Sequence, residues 1–344
     1  MNTIRKLAIL LLGLACVGCA ERKNEKVTED IPPAAVQQEI EIPQQQTQKE
    51  NKMVLSAYLP VQSVPVDEKA AQRITDIIFI GGVVWDIQGK LLTGNDEIFT
   101  HLDAVKKYDE LDVWVTVNPS GKLIRAGQAG MTIDTEQERK ILAETITDFA
   151  VEHSLCGIDI DWEFPANNEE WNNFSQFVPI LKSSLEKEGK QLSLAFYPQN
   201  VQLDATSLAA CDRINIMAYD QFDESGVHSS FETAVKAVEY FKGMGCSNEQ
   251  LILGIPLYGR PTDQSARWDL YNTLPTVSQP SVNNYGDSWY NGIELILKKT
   301  EYAHSKSLGG VMIYHLACDL PAEDEMSALK NISDFLTSIE DKFT

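Results

Sequence analysis

From Met53 onward the chain switches repeatedly between short β-branched runs and longer amphipathic stretches, and this alternation limits what it can fold into. The predicted strands are 54–59, 76–80, 113–117, 157–161, 192–196, 213–217, 251–255 and 310–314. Runs this short and apolar suit parallel strands buried on both faces. Between them, apolar residues recur at helical spacing. In 134–153 the stripe is Ile141, Leu142, Ile146, Phe149 and Ala150; in 171–187 it is Phe174, Phe177, Val178, Leu181 and Leu185. Stretches 231–242, 292–306 and 324–339 follow the same pattern. Eight strand signals alternating with helices predict an α/β fold, a (β/α)8 barrel in one domain. An open doubly wound sheet is the alternative.

One run favours the barrel. Gly157-Ile-Asp-Ile-Asp-Trp-Glu-Phe164 sets Asp159, Asp161 and Glu163 at every second position. In a strand these side chains share a face, roughly 7 Å apart. Burying like charges side by side is costly, so such a row either does chemistry or lies solvated on an edge strand. The row leads to Glu163 at the strand's carboxyl end, where barrel active sites sit. Carboxylates this close cannot all ionise easily, so Glu163 is expected to hold its proton near neutrality, as a general acid must. A coupled row also titrates as a unit.

Gly157-Ile-Asp-Ile-Asp-Trp-Glu-Phe-Pro165 resembles the catalytic signature of glycoside hydrolase family 18, the chitinase family, written D-G-x-D-x-D-x-E. Arg213-Ile-Asn-Ile-Met-Ala-Tyr-Asp220, Leu253-Gly-Ile-Pro-Leu-Tyr-Gly-Arg260 and Gly309-Gly-Val-Met-Ile-Tyr314 resemble that family's sixth, seventh and eighth strands, in order. The resemblance implies a TIM-barrel glycosidase acting on β-1,4 linkages of N-acetylglucosamine-containing glycans, chitin or chito-oligosaccharides, with retention. It implies no cofactor or metal, because the substrate's acetamido group supplies the nucleophile. Glu163 would be general acid and then base, Asp161 would hold the acetamido N–H, and Asp159 would modulate Asp161. Tyr219 would bond the acetamido oxygen. Asp220, Met217, Tyr258, Arg260, Tyr314 and Tyr58 would line the substrate site; Met217 also reads as core and Arg260 as an ion-pair partner.

Departures from the family pattern bear on the substrate. Cys156 stands where the signature's first acid would be, and its parity predicts that it points away from the acid row. Phe164 replaces a common tyrosine, Tyr314 replaces the usual tryptophan floor, and 113–120 lacks the expected S-x-G-G. About 30 residues separate Arg260 from the helix near Asn291, so no large inserted α+β domain is expected, and the groove should be open. Trp85, Trp268 and Trp289 fall in loops predicted at the barrel mouth, each either a sugar platform or loop packing. Trp162 should pack under the helices, and Trp114 and Trp171 in the core. Two other readings remain: an endo-β-N-acetylglucosaminidase acting on N-linked glycans, and a non-catalytic glycan-binding protein. The latter is disfavoured by the presence of Glu163.

The formal net charge of −21 disfavours nucleic acid or an anionic membrane surface as partner. Arg5 and Lys6 precede an apolar run ending at Gly18-Cys19, so residues 1–18 are expected to be a lipoprotein-type signal. Cys19 would then be lipidated, tying an exported monomer to the cell envelope; plain secretion is the other reading. Residues 19–52, rich in Gln, Glu and Pro, are expected to be a disordered tether, and 53–344 the catalytic domain. Cys156, Cys211, Cys246 and Cys318 lack metal-ligand spacing and read as isolated thiols.

Overall fold

The β-branched runs become eight parallel strands in the computed structural model, which describes residues 52–94 and 96–340. They are β1 (Val54–Pro60), β2 (Asp76–Trp85), β3 (Asp112–Pro119), β4 (Gly157–Ile160), β5 (Gln191–Phe196), β6 (Arg213–Ile216), β7 (Leu251–Pro256) and β8 (Gly310–Tyr314). Each pairs in parallel with the next, and β1 pairs with both β2 and β8, so the sheet closes into a barrel. Closure removes the edges of an open sheet and excludes the doubly wound alternative. β4 and β6 end one residue earlier than expected, because the chain leaves the ladder at the mouth. The expected signal, Cys19 and all of the expected tether but Lys52 lie outside the described residues.

Alternation sorts each strand's side chains into two cores. Inward residues Tyr58, Ile78, Trp114, Met217, Ile252 and Met312 fill the barrel. Outward residues such as Ile158 and Ile160 pack under the helices. Trp162 joins this outer layer, edge-on to Trp85 and against Phe174, and Trp171 is buried with it, both as expected. Gly157 faces inward, and a Cβ there would come 2.3 Å from the Trp114 ring, so bulk on β3 requires glycine on β4.

The expected helices form over Glu136–Glu152, Asn168–Lys187, Phe231–Gly243, Ile293–Ser305 and Ala328–Glu340. Thr135 and Glu138 start the first with a reciprocal capping box. Its stripe is narrower than predicted. Leu142, Ile146, Phe149 and Ala150 are buried, but Ile141 is 45% exposed because it lies one helical step beyond the contact face. Between β7 and Ile293 the short connection folds into four antiparallel strands, Tyr258–Pro261, Asp269–Leu270, Asn284–Tyr285 and Ser288–Trp289. This small sheet contains no α-helix, in keeping with the expected lack of a large α+β insert.

Asp76 closes the amino-terminal end of the barrel. Its buried carboxylate accepts from Ser56 Oγ, from Thr75 Oγ1 at 3.1 Å and from Arg213 Nη1 at 3.0 Å. The Arg213 guanidinium lies 4.7 Å from the Trp114 ring centroid. Cys156 packs against the inner cluster here, contrary to the parity expectation. It precedes β4, where strand alternation does not yet apply. All four described cysteines are free thiols.

Candidate active site

Register builds the deepest part of the site. Thr116, Asp159 and Ser193 lie side by side on β3, β4 and β5, all inward. Both hydroxyls therefore reach Asp159: Thr116 Oγ1 donates to Oδ2 at 2.9 Å and Ser193 Oγ to Oδ1 at 2.5 Å. From elsewhere in the barrel Tyr58 Oη donates at 3.1 Å and Asn215 Nδ2 at 3.2 Å. Burial pushes the Asp159 carboxyl up, and the four donors pull it back without cancelling the rise.

Asp161 lies just beyond β4, with its backbone N–H donating to Asn118 Oδ1 at 2.8 Å. Its carboxyl has the opposite character to that of Asp159: Oδ1 is buried without a hydrogen-bond partner. Burial, then Glu163, then Asp159 push it well above the usual carboxylate range. Glu163, beyond the end of β4, is exposed as a residue. Its carboxyl is nevertheless raised, by the surrounding protein first and by the Asp220 charge second. The row thus runs from a bonded acid, through an unpartnered one, to one open to the mouth.

Aromatic rings wall this path. Tyr219 stacks on Tyr314 at 5.3 Å, and Tyr258 meets Tyr219 edge-on at 6.3 Å. A Cβ on Gly254 would come 2.3 Å from the Ile216 carbonyl oxygen and 2.9 Å from the Tyr219 ring, so only glycine fits beside them. Met217 is buried among these rings. The Tyr258 hydroxyl is buried, and burial, with the Asp220 carboxylate nearby, raises its pKa well above the ordinary tyrosine value. Trp268, 38% exposed, lies flat on Tyr258 at 3.9 Å and edge-on to Tyr314 at 6.2 Å. Phe164, 43% exposed, adds an apolar surface beside Glu163.

Asp220 occupies a left-handed turn with φ of 58°. Burial alone would raise its carboxyl, but its hydrogen bonding and the Arg260 guanidinium beside it outweigh that and hold it below its ordinary value. Arg260 Nη1 donates to Asp220 Oδ1 at 2.5 Å, while Nε and Nη2 donate to the Ser265 carbonyl at 3.2 and 2.9 Å. Arg260 therefore makes the expected ion pair with Asp220. Trp85 is no platform: it is fully buried, its Nε1 donating to Thr132 Oγ1 at 3.0 Å. Trp289 belongs to the small sheet, in register with Arg260.

The barrel thus gathers Asp159, Asp161, Glu163, Tyr219, Asp220, Met217, Tyr258, Tyr314 and Tyr58 at one end. Thr116, Asn118, Ser193 and Asn215 went unnoticed in the sequence, although strand parity alone turns each inward. Tyr197, whose hydroxyl donates to the Asp220 carbonyl at 2.9 Å, and His228 carry no such signal because they lie past strand ends. Among the described residues no group of three or more His, Cys, Asp or Glu converges as metal ligands.

This geometry has known counterparts. The sequence model of Glycosyl hydrolases family 18 matches residues 34–319. A family 18 chitinase from the chitin utilization locus of Flavobacterium johnsoniae superposes with a TM-score of 0.71 at 27% identity, covering 84% of this chain and 95% of that one. A chitinase from Bacteroides thetaiotaomicron shares the fold, with a TM-score of 0.71 at 20% identity, covering 83% of this chain and 96% of that one. Probable chitinase 10 of Drosophila melanogaster is 25% identical over 285 residues, 63% of this chain and 12% of that protein. Chitinase A1 of Niallia circulans is 23% identical over 267 residues, 54% of this chain and 38% of that protein. The chain thus spans well under half the length of these two curated relatives. With its closed eight-stranded barrel and its acid row at the carboxyl end of β4, the chain belongs to glycosyl hydrolases family 18.

Proposed function

We propose that the chain is a glycosidase cleaving β-1,4 linkages in N-acetylglucosamine-containing glycans, with soluble chito-oligosaccharides preferred to crystalline chitin. The observation that carries this reading is the unequal acid row. Only Glu163 is both raised in pKa and open to the mouth, as a proton donor to a bound glycan must be. Glu163 donates its proton to the glycosidic oxygen as the bond to the anomeric carbon breaks. The substrate's acetamido oxygen attacks that carbon from the other face, forming an oxazolinium ion. The Glu163 carboxylate then takes a proton from water, which opens the ring with net retention.

The unpartnered Oδ1 of Asp161 suits the acetamido N–H and stabilises the charge that develops on it. Tyr219, three residues past β6, donates to the acetamido oxygen in this reading. The partly exposed Tyr314 and Trp268 rings, backed by Tyr219 and Tyr258, suit the C–H face of a sugar. Tyr314 in place of a tryptophan floor and the small sheet in place of a large insert favour short soluble chains.

The test is hydrolysis of chitotetraose and of a high-mannose glycopeptide by wild type and Glu163→Gln. We expect chitotetraose cleavage by wild type, reduced about 10²- to 10⁴-fold in the variant. Cleavage of the glycopeptide alone would move the substrate to N-linked glycans. Cleavage of neither would leave a glycan-binding protein, and full activity of Glu163→Gln would refute the mechanism.

A further inference from the structure

The turn that presents Tyr219 and Asp220 is riveted from behind by one buried imidazole. His228 is fully buried. Its Nε2 accepts the Asp220 backbone N–H at 3.1 Å and lies 3.6 Å from Asp220 Oδ1. Its Nδ1 lies 3.2 Å from the Trp289 carbonyl oxygen, which can only accept, so Nδ1 carries the proton and Nε2 is free to accept. The ring packs on Phe222 and Tyr258, each at 5.5 Å. The next residue continues the clasp: Ser229 N–H donates to the Gln221 carbonyl at 2.8 Å and its Oγ to the Ala218 carbonyl at 2.8 Å. Lys299 Nζ then donates to the Ser229 carbonyl at 2.7 Å and to Asn291 Oδ1 at 2.5 Å, tying the clasp to the helix Ile293–Ser305.

This arrangement holds two strained positions in place. Asp220 and Ser229 both have left-handed φ, 58° and 47°, which side chains other than glycine adopt only when their surroundings impose it. The bonds from His228 and Ser229 supply that constraint. Without them the turn can relax, and the Asp220 carboxylate is no longer fixed beside Glu163.

We propose that His228 is a positioning residue: as a neutral hydrogen-bond acceptor it locks the Tyr219–Asp220 turn, so that Asp220 keeps its negative charge against Glu163. The proposal rests on reading Glu163 as the general acid. The charged and titratable groups around the Asp220 carboxylate are Arg260, His228, Tyr197, Tyr258, Tyr314 and Glu163. Behind His228 stands Lys299. Burial, with Lys299 assisting, holds His228 below its ordinary pKa against the opposing pull of Asp220, consistent with a ring that stays neutral.

The sign of the effect follows. A fixed Asp220 charge disfavours ionised Glu163, so it extends the protonated, active form to higher pH. If His228→Ala frees the turn, the basic limb of kcat/KM moves to lower pH. A displacement of about one pH unit would lower kcat/KM about tenfold at any pH above both limbs. Asp220→Asn should move the limb in the same direction, and the double variant should add little. His228→Gln, whose Oε1 can accept the Asp220 N–H, should hold the limb near that of wild type. A His228→Ala enzyme with lower activity or lower Tm but an unmoved limb would overturn the proposal.

The ring itself can be read in the unaltered protein, independently of activity or of a variant's folding. Nitrogen NMR of imidazole-labelled wild type should show His228 neutral, protonated at Nδ1, from pH 5 to 8. Protonation of Nε2 within that range would also overturn the proposal. Wild type inactive on both glycans would instead refute the glycosidase reading and leave this tautomer result standing.

Discussion

At the residue scale, Asp159 and Asp161 illustrate how neighbouring carboxyls of one strand end with different chemistry. Asp159 meets four donors and is built to accept; Asp161 leaves Oδ1 unpaired. Asp159→Asn places an amide N–H₂ where only acceptors fit, so at least one buried donor loses its partner. We expect a loss of about 1–3 kcal/mol, read by urea unfolding. It also removes one of the charges raising Asp161, so the acidic part of the activity profile should shift downward. An Asn variant as stable as wild type would mean that the four donors do not depend on the carboxylate. The acid row was legible in the sequence because alternation and charge speak together there. The donors were not, because Thr116, Ser193 and Asn215 are common polar residues whose meaning depends on which strands stand beside β4.

At the element scale, the strands were readable to within one or two residues wherever a β-branched run met a polar boundary. The exceptions have physical causes. β2 runs five residues past its expected end, to Trp85, and β3 gains Asn118 and Pro119, because their pairing continues past an irregularity between Phe79 and Val83. The small sheet after β7 is hidden because its strands are two to four residues long and carry no periodicity. Packing between elements gives a sharp test at Gly157. Gly157→Ala drives a Cβ into the Trp114 ring, and we expect about 1–3 kcal/mol of destabilisation by thermal or urea unfolding, with Trp114 fluorescence perturbed. An unchanged Tm would mean that the interior of the barrel yields more easily than its packing indicates.

The helix Ile293–Ser305 supplies a second test at this scale. Lys299 is fully buried, and burial lowers its pKa from 10.5 to about 7 despite three accepting oxygens around Nζ. The folded state therefore releases this proton before the unfolded state does. Below about pH 7 both states are protonated and the folded state bears the whole cost of the buried charge. Between about 7 and 10.5 the unfolded chain holds more protons, so stability gains up to about 1.4 kcal/mol per pH unit from this group. Lys299→Met should lose that slope, as measured by urea unfolding across the range relative to wild type. Parallel curves would mean that Lys299 keeps an ordinary pKa.

At the scale of the whole molecule, the alternation of eight strands with helices foretold the closed barrel, and the barrel foretold where the acids would gather. Closure brings Tyr58 of β1 and Asn215 of β6 to the same carboxylate on β4, a meeting that no local pattern announces. The Asp220–Arg260–His228 assembly is equally non-local, joining the loop after β6 to the small sheet after β7. That is why the sequence alone does not reveal the partner of Arg260. The central claim concerns what the assembled site asks of its substrate: the acetamido group must act as the nucleophile. The most direct measurement is proton NMR of the products from chitotetraose and from its fully deacetylated analogue under the same conditions. The account predicts β-anomer as the first product of chitotetraose and no cleavage of the analogue. First-formed α-anomer, or comparable cleavage of the deacetylated chain, would contradict it.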